Sequence, residues 1–77
     1  MEGFLLVSYG FEYKSKDFIL LSFSSGEILL IDRISLELLS QMSFENEQQI
    51  KSMLSFNQGE YILLASSEGT LFVITGL

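Results

Sequence analysis

The stretch Tyr61-Ile62-Leu63-Leu64-Ala65-Ser66-Ser67-Glu68-Gly69 decides the fold, because the chain contains it twice in similar form. Its first version is Phe18-Ile19-Leu20-Leu21-Ser22-Phe23-Ser24-Ser25-Gly26. The match continues, with Glu27-Ile28-Leu29-Leu30-Ile31-Asp32 falling on Thr70-Leu71-Phe72-Val73-Ile74-Thr75. Laying residues 7–32 over residues 50–75, an offset of 43 without a gap, makes six of the 26 pairs identical. Other pairs keep their character, among them Val7 with Ile50, Phe11 with Leu54, Tyr13 with Phe56 and Asp17 with Glu60. A chain rich in Leu and Ser produces chance matches. Chance does not readily put two Gly turns and two flanking apolar runs in register.

Each copy reads as a set of strands. In the second, Ile50–Phe56 alternates, with Ile50, Ser52, Leu54 and Phe56 on one face and Lys51, Met53 and Ser55 on the other. Asn57-Gln58-Gly59-Glu60 is a turn, Gly59 being free to take a positive φ. Tyr61–Ser66 is the next strand, Ser67-Glu68-Gly69 turns the chain, and Thr70–Thr75 returns. The first copy gives strands Val7–Tyr13, Phe18–Phe23 and Glu27–Asp32, with turns at Lys14–Asp17 and Ser24–Gly26. A further strand, Leu36–Phe44, carries Leu36, Leu38, Ser40, Met42 and Phe44 as one alternating set. Ile28-Leu29-Leu30-Ile31 and Leu71-Phe72-Val73-Ile74 are apolar without alternation, which predicts strands buried on both faces. A helix competes over residues 34–54, where Ile34, Leu38, Leu39 and Met42 would share a side and Glu and Gln favour helix. The 43-residue period favours a strand and a loop instead.

A period of about 40–45 residues with four strands per unit is that of the WD-repeat β-propeller blade, and the chain resembles that family over nearly its whole length. Phe56-Asn57-Gln58-Gly59-Glu60 stands at the family's first turn, Ala65-Ser66-Ser67 at the small-residue end of its second strand, and Glu68-Gly69-Thr70 at its Asp-Gly-Thr turn. Ser25-Gly26-Glu27 is a weaker copy of the last. Ile31-Asp32 and Ile74-Thr75 stand where Trp-Asp would be. The Trp and the family's His are absent, so the His–Asp hydrogen-bond network of typical blades cannot form. The resemblance implies an all-β fold of two antiparallel four-stranded propeller-type blades, 1–46 and 47–77, the second lacking its outer strand. The counterpart of the first unit's fourth strand would fall at about 79–87. Propellers close with roughly 4–8 blades. The expectation is therefore completion by other blades, from a larger parent protein, a partner subunit or further copies of the chain.

Composition bounds the chemistry. With 77 residues, no Cys and no His, the chain has neither disulfides nor zinc ligands of the usual kind. It is nevertheless 48% hydrophobic, much apolar surface for so short a chain to hide alone. Four basic against ten acidic residues, a net charge of −6, oppose direct nucleic-acid binding. The apolar runs are far shorter than the ~20 residues of a spanning helix. Met1-Glu2 is a poor start for a signal peptide, and an intracellular, cytoplasmic or nuclear, protein is expected.

Without His or Cys the many serines lack the usual catalytic partners. Asp32 with Glu37 is a nominal carboxylate pair, and Glu45-Asn46-Glu47 offers oxygen ligands without calcium-loop spacing; a solvated surface is the better reading of both. No catalysis, cofactor or metal is expected. Most aromatic residues repeat with the strands and read as core. The expected role is a protein-interaction scaffold, with other protein chains or further blades as partners and a homo-oligomer among the options. The alternatives are a split subunit that only completes a partner's propeller and a fragment of a propeller enzyme. The polar break Glu45, Asn46, Glu47, Gln48, Gln49 is the candidate partner-binding loop, and Gly26, Gly59 and Gly69 are the candidate structural turns.

Overall fold

Seven strands follow one another along the chain: β1 (Leu5–Tyr13), β2 (Lys16–Phe23), β3 (Glu27–Asp32), β4 (Leu38–Ser43), β5 (Ile50–Phe56), β6 (Tyr61–Ser66) and β7 (Leu71–Thr75). The computed structural model describes residues 3–43 and 49–75. All pairings are antiparallel and join neighbours in sequence, giving a sheet β1-β2-β3-β4 and a sheet β5-β6-β7. No helix forms among the described residues, and the helical option over 34–54 is overturned by β4 and β5. Residues 38–43 and 50–56 instead form backbone ladders with β3 and β6, a pairing that helical residues cannot make.

The sequence repeat is a structural repeat. Ile19 pairs with Ile31 and Ile62 with Ile74, and every pair of the β2–β3 ladder recurs 43 residues later in β6–β7. Turn hydrogen bonds recur too: Gly26 N donates to Phe23 O at 3.0 Å and Gly69 N to Ser66 O at 3.1 Å. The first strand of each unit departs from the ungapped alignment. β1 breaks register between Leu5 and Val7, and β5 between Ile50 and Ser52, an offset of 45. Ser24 N donates to Phe4 O and Ser67 N to Gln49 O, both at 2.8 Å, repeating with the same offset on the acceptor side. The two residues are absorbed in the hairpin. Phe11 pairs with Phe18 across six intervening residues, and Phe56 pairs with Tyr61 across four.

Those bulges correct two face assignments. A bulge places two residues opposite one and so reverses the alternation beyond it. Ile50 therefore lies with Met53 in the core, while Ser52, Leu54 and Phe56 take the other face. Between Leu30 and Ile31 a third irregularity separates Leu38, opposite Ile31, from Ser40 and Met42, opposite Leu30 and Ile28. Leu36, expected to begin that strand, has φ 61° and belongs to the preceding turn. The first hairpin turn is also shorter than Lys14–Asp17: Lys16 and Asp17 are in β2, and Lys14 (φ 51°) and Ser15 (φ 65°) form a two-residue turn with both centres left-handed, the type that matches strand twist.

Each sheet has two faces. The front of the first sheet carries Phe18, Leu20, Ser22, Ile28 and Leu30, and its back carries Ile19, Leu21, Leu29 and Ile31. The repeat counterparts make Tyr61, Leu63, Ala65, Leu71 and Val73 the front of the second sheet, and Ile62, Leu64, Phe72 and Ile74 its back. The core joins the front of the first sheet to the back of the second: Phe11, Phe18, Leu20, Ile28 and Leu30 meet Ile50, Met53, Ile62 and Leu64. The sheets are thus stacked in the same sense, front to back. Leu20, Ile62 and Leu64 are fully buried, each contributing about 1.5–3 kcal/mol of transfer free energy.

Candidate interaction surface

Two polar ties between strands and one backbone contact help fix the stack. Tyr9 Oη lies 2.8 Å from Ser55 Oγ and accepts from Ser55 N at 2.9 Å, crossing from β1 to β5. Ser22 Oγ, almost wholly buried, donates to Ile50 O at 2.9 Å. A net hydrogen bond is worth about 0.5–1.5 kcal/mol, so these ties orient a contact driven mainly by apolar burial. The third element is Gly59. It has φ 85° and is buried, and a Cβ on it would stand 2.2 Å from Glu12 O. Only glycine lets the β5–β6 turn lie this close to the β1 backbone. Gly69, with φ 86°, has nothing within 4 Å of its Cβ position, so its requirement is conformational alone. Gly26, φ 93°, is a buried turn residue.

Stacking in one sense leaves the front of the second sheet bare. Cross-strand pairing builds three rows there: Ser52–Ala65–Leu71, Leu54–Leu63–Val73 and Phe56–Tyr61–Thr75. No row contains a charged side chain. Leu54, Leu71 and Val73 are 56%, 63% and 55% exposed, and the Phe56 and Tyr61 rings stack with centroids 5.3 Å apart. An apolar surface of this kind, with alternate residues aligned across three strands, is a candidate interaction surface. β7 also forms the sheet edge, and among the described residues no fourth strand pairs with it. The expectation that Leu71–Ile74 is buried on both faces is therefore corrected. That run has the composition of a doubly covered strand but one uncovered face.

Glu45, Asn46, Glu47 and Gln48 lie outside the described residues. Gln49 is half-buried, and its Nε2 donates to Ser24 O at 3.0 Å, so it braces the two sheets. Asp32 is likewise structural. Its Oδ1 accepts from Ile34 N at 2.8 Å and Ser35 N at 3.1 Å, and the Ser35 and Ile34 amides lower its pKa from the usual carboxylate value. A carboxylate held ionised in this way caps the β3–β4 turn and is a poor proton donor. Between the two hairpin turns lies an open groove of about 850 Å³, lined by Glu12, Lys14, Asn57 and Glu60 among others. Among the described residues no three acidic, His or Cys side chains cluster as metal ligands.

The bare front was not assigned as a site from the sequence. Its signal was present in the repeat itself: Leu71 and Val73 correspond to Ile28 and Leu30, and only the stacking sense says which of the two pairs finds a partner.

No family model, curated protein or solved structure matches the chain.

Proposed function

We propose that the chain is a non-catalytic protein-interaction scaffold, a segment of a WD-repeat-like β-propeller completed by other blades or chains. The observation that carries this reading is the front-to-back stacking of two repeat-related sheets, which leaves a sheet face bare whose repeat counterpart is a core face. Stacked repeats bury their faces on neighbours, and isolated ones expose them. The serine hydroxyls and the Asp32 carboxylate engaged in turns and sheet ties support a structural role for those groups. The uncovered edge of β7 supports the narrower version, in which a partner protein supplies the next strand as well as the next sheet.

Capture from native extract tests the reading, with the 77-residue chain as bait beside its Val73→Glu variant. A discrete partner retained by the wild type and lost by the variant is the expected result. A partner retained equally by both would show that the open face is not the binding surface and would overturn the reading.

A further inference from the structure

We infer that the bare front of the second sheet docks the back of the first sheet of another copy of this chain, head to tail. The inference rests on the interaction-module reading and names its partner. The chain already contains one such contact, and the repeat supplies both halves of a second. The front of β5–β7 repeats the front of β1–β3, which receives a sheet back within the chain. The back of β1–β3 repeats the back of β5–β7, which is received there. Neither of the two remaining faces has a counterpart within the described chain. The interface so formed is heterologous: one copy gives its front and keeps a free back, and the other gives its back and keeps a free front. Such contacts close into rings or run on as filaments.

The residues that would meet are changed together. Within the chain the polar tie is Tyr9 on the front with Ser55 on the back. At the 45-residue offset of the first strands, Leu54 replaces Tyr9 and Gly10 replaces Ser55. A polar pair becomes an apolar side chain facing an open position. A Cβ at Gly10 would find only Phe18 O, 3.9 Å away, so that surface has room. Ser22, the second tie, becomes Ala65, again losing a hydroxyl. The contact between copies therefore lacks both polar ties of the contact within one. Each copy also brings a net charge of −6, so association strengthens as salt screens the repulsion.

Sedimentation of the pure chain over a range of concentrations reads the association directly. Reversible oligomers are expected, with Leu71→Glu weakening them by about tenfold or more. Leu71 is exposed, so this substitution leaves the core intact. Orientation is read by cross-linking, since the chain has no cysteine. Chains carrying Leu54→Cys and chains carrying Gly10→Cys are treated with a short bismaleimide, separately and mixed. Linked dimers found chiefly in the mixture support head-to-tail docking. Dimers of Leu54→Cys with itself would show front meeting front and overturn it. So would a chain that remains monomeric at all concentrations and salt levels. A monomeric chain that still captures a different protein through Val73 would overturn the self-docking and leave the interaction-module reading standing. Capture indifferent to Val73→Glu would break that reading whatever the chain does with itself.

Discussion

β3 and β7 are the same strand written twice, with opposite outcomes. In β3, Ile28, Leu29 and Leu30 are all buried. In β7, Leu71 and Val73 are exposed while Phe72 and Ile74 are half-buried. Residue type does not explain the contrast, since all eight positions of the two runs are apolar. Position does. β3 is flanked by β2 and β4 and faces the second sheet with its front, while its back residue Leu29 lies between Leu21 and Gln41. β7 is an edge with a sheet behind it and, among the described residues, nothing in front. An apolar run states how much burial a strand requires; whether that burial is met depends on neighbours.

The contrast breaks most sharply under truncation. Leu30→Ala removes buried methyl groups from the core and should cost about 2–5 kcal/mol. Its repeat counterpart, Val73→Ala, should change the stability of the isolated chain by no more than about 0.5 kcal/mol. Urea unfolding of both, at a concentration where the chain is monomeric, checks this. Equal losses would mean that the front of β7 is already covered in the free chain. The turns offer a second contrast. Gly59→Ala forces a methyl into Glu12 O as well as a left-handed backbone, and about 2–3 kcal/mol is expected. Gly69→Ala meets only the backbone preference, about 1 kcal/mol. Thermal melts that rank Gly69→Ala as the more damaging would place the close contact elsewhere.

The smallest effect concerns acid. Asp32 ends β3, and Thr75 is its counterpart in β7. The hydrogen bonds from the Ser35 and Ile34 amides lower the Asp32 pKa in the folded chain from its ordinary value. Its stabilising contribution is thus fully present above that value and is lost as pH falls through the lower folded value. Asp32→Asn should flatten this part of the acid unfolding profile and slightly lower the neutral melting temperature, the two stabilities converging in acid. A profile with an unaltered acid limb would show that other carboxylates set it.

The strands Glu27–Asp32, Ile50–Phe56 and Tyr61–Ser66 were legible residue for residue, because each is a largely apolar or alternating run bounded on at least one side by a Gly turn. The two-residue turn at Lys14-Ser15 was not, since neither is a usual left-handed residue. The bulges at Leu5/Val7 and Ile50/Ser52 were hidden for a different reason. Their register shift is offset by a shorter second hairpin, so the ungapped alignment looked complete. The open face could be read as apolar but not as open, because exposure depends on which face of one sheet receives which face of the other.

Neighbour-to-neighbour pairing has a kinetic consequence. Every ladder closes through a short connection, and hairpins of this kind form in about 1–10 μs. The contacts that seat one sheet on the other join distant positions, as Tyr9 joins Ser55 and Glu12 approaches Gly59. Docking of preformed sheets is then the slow step, limited by closing the long intervening segment. Substitutions at Gly59 should accordingly slow refolding, whereas changes on the Leu71–Val73 face should leave the refolding rate of the single chain alone.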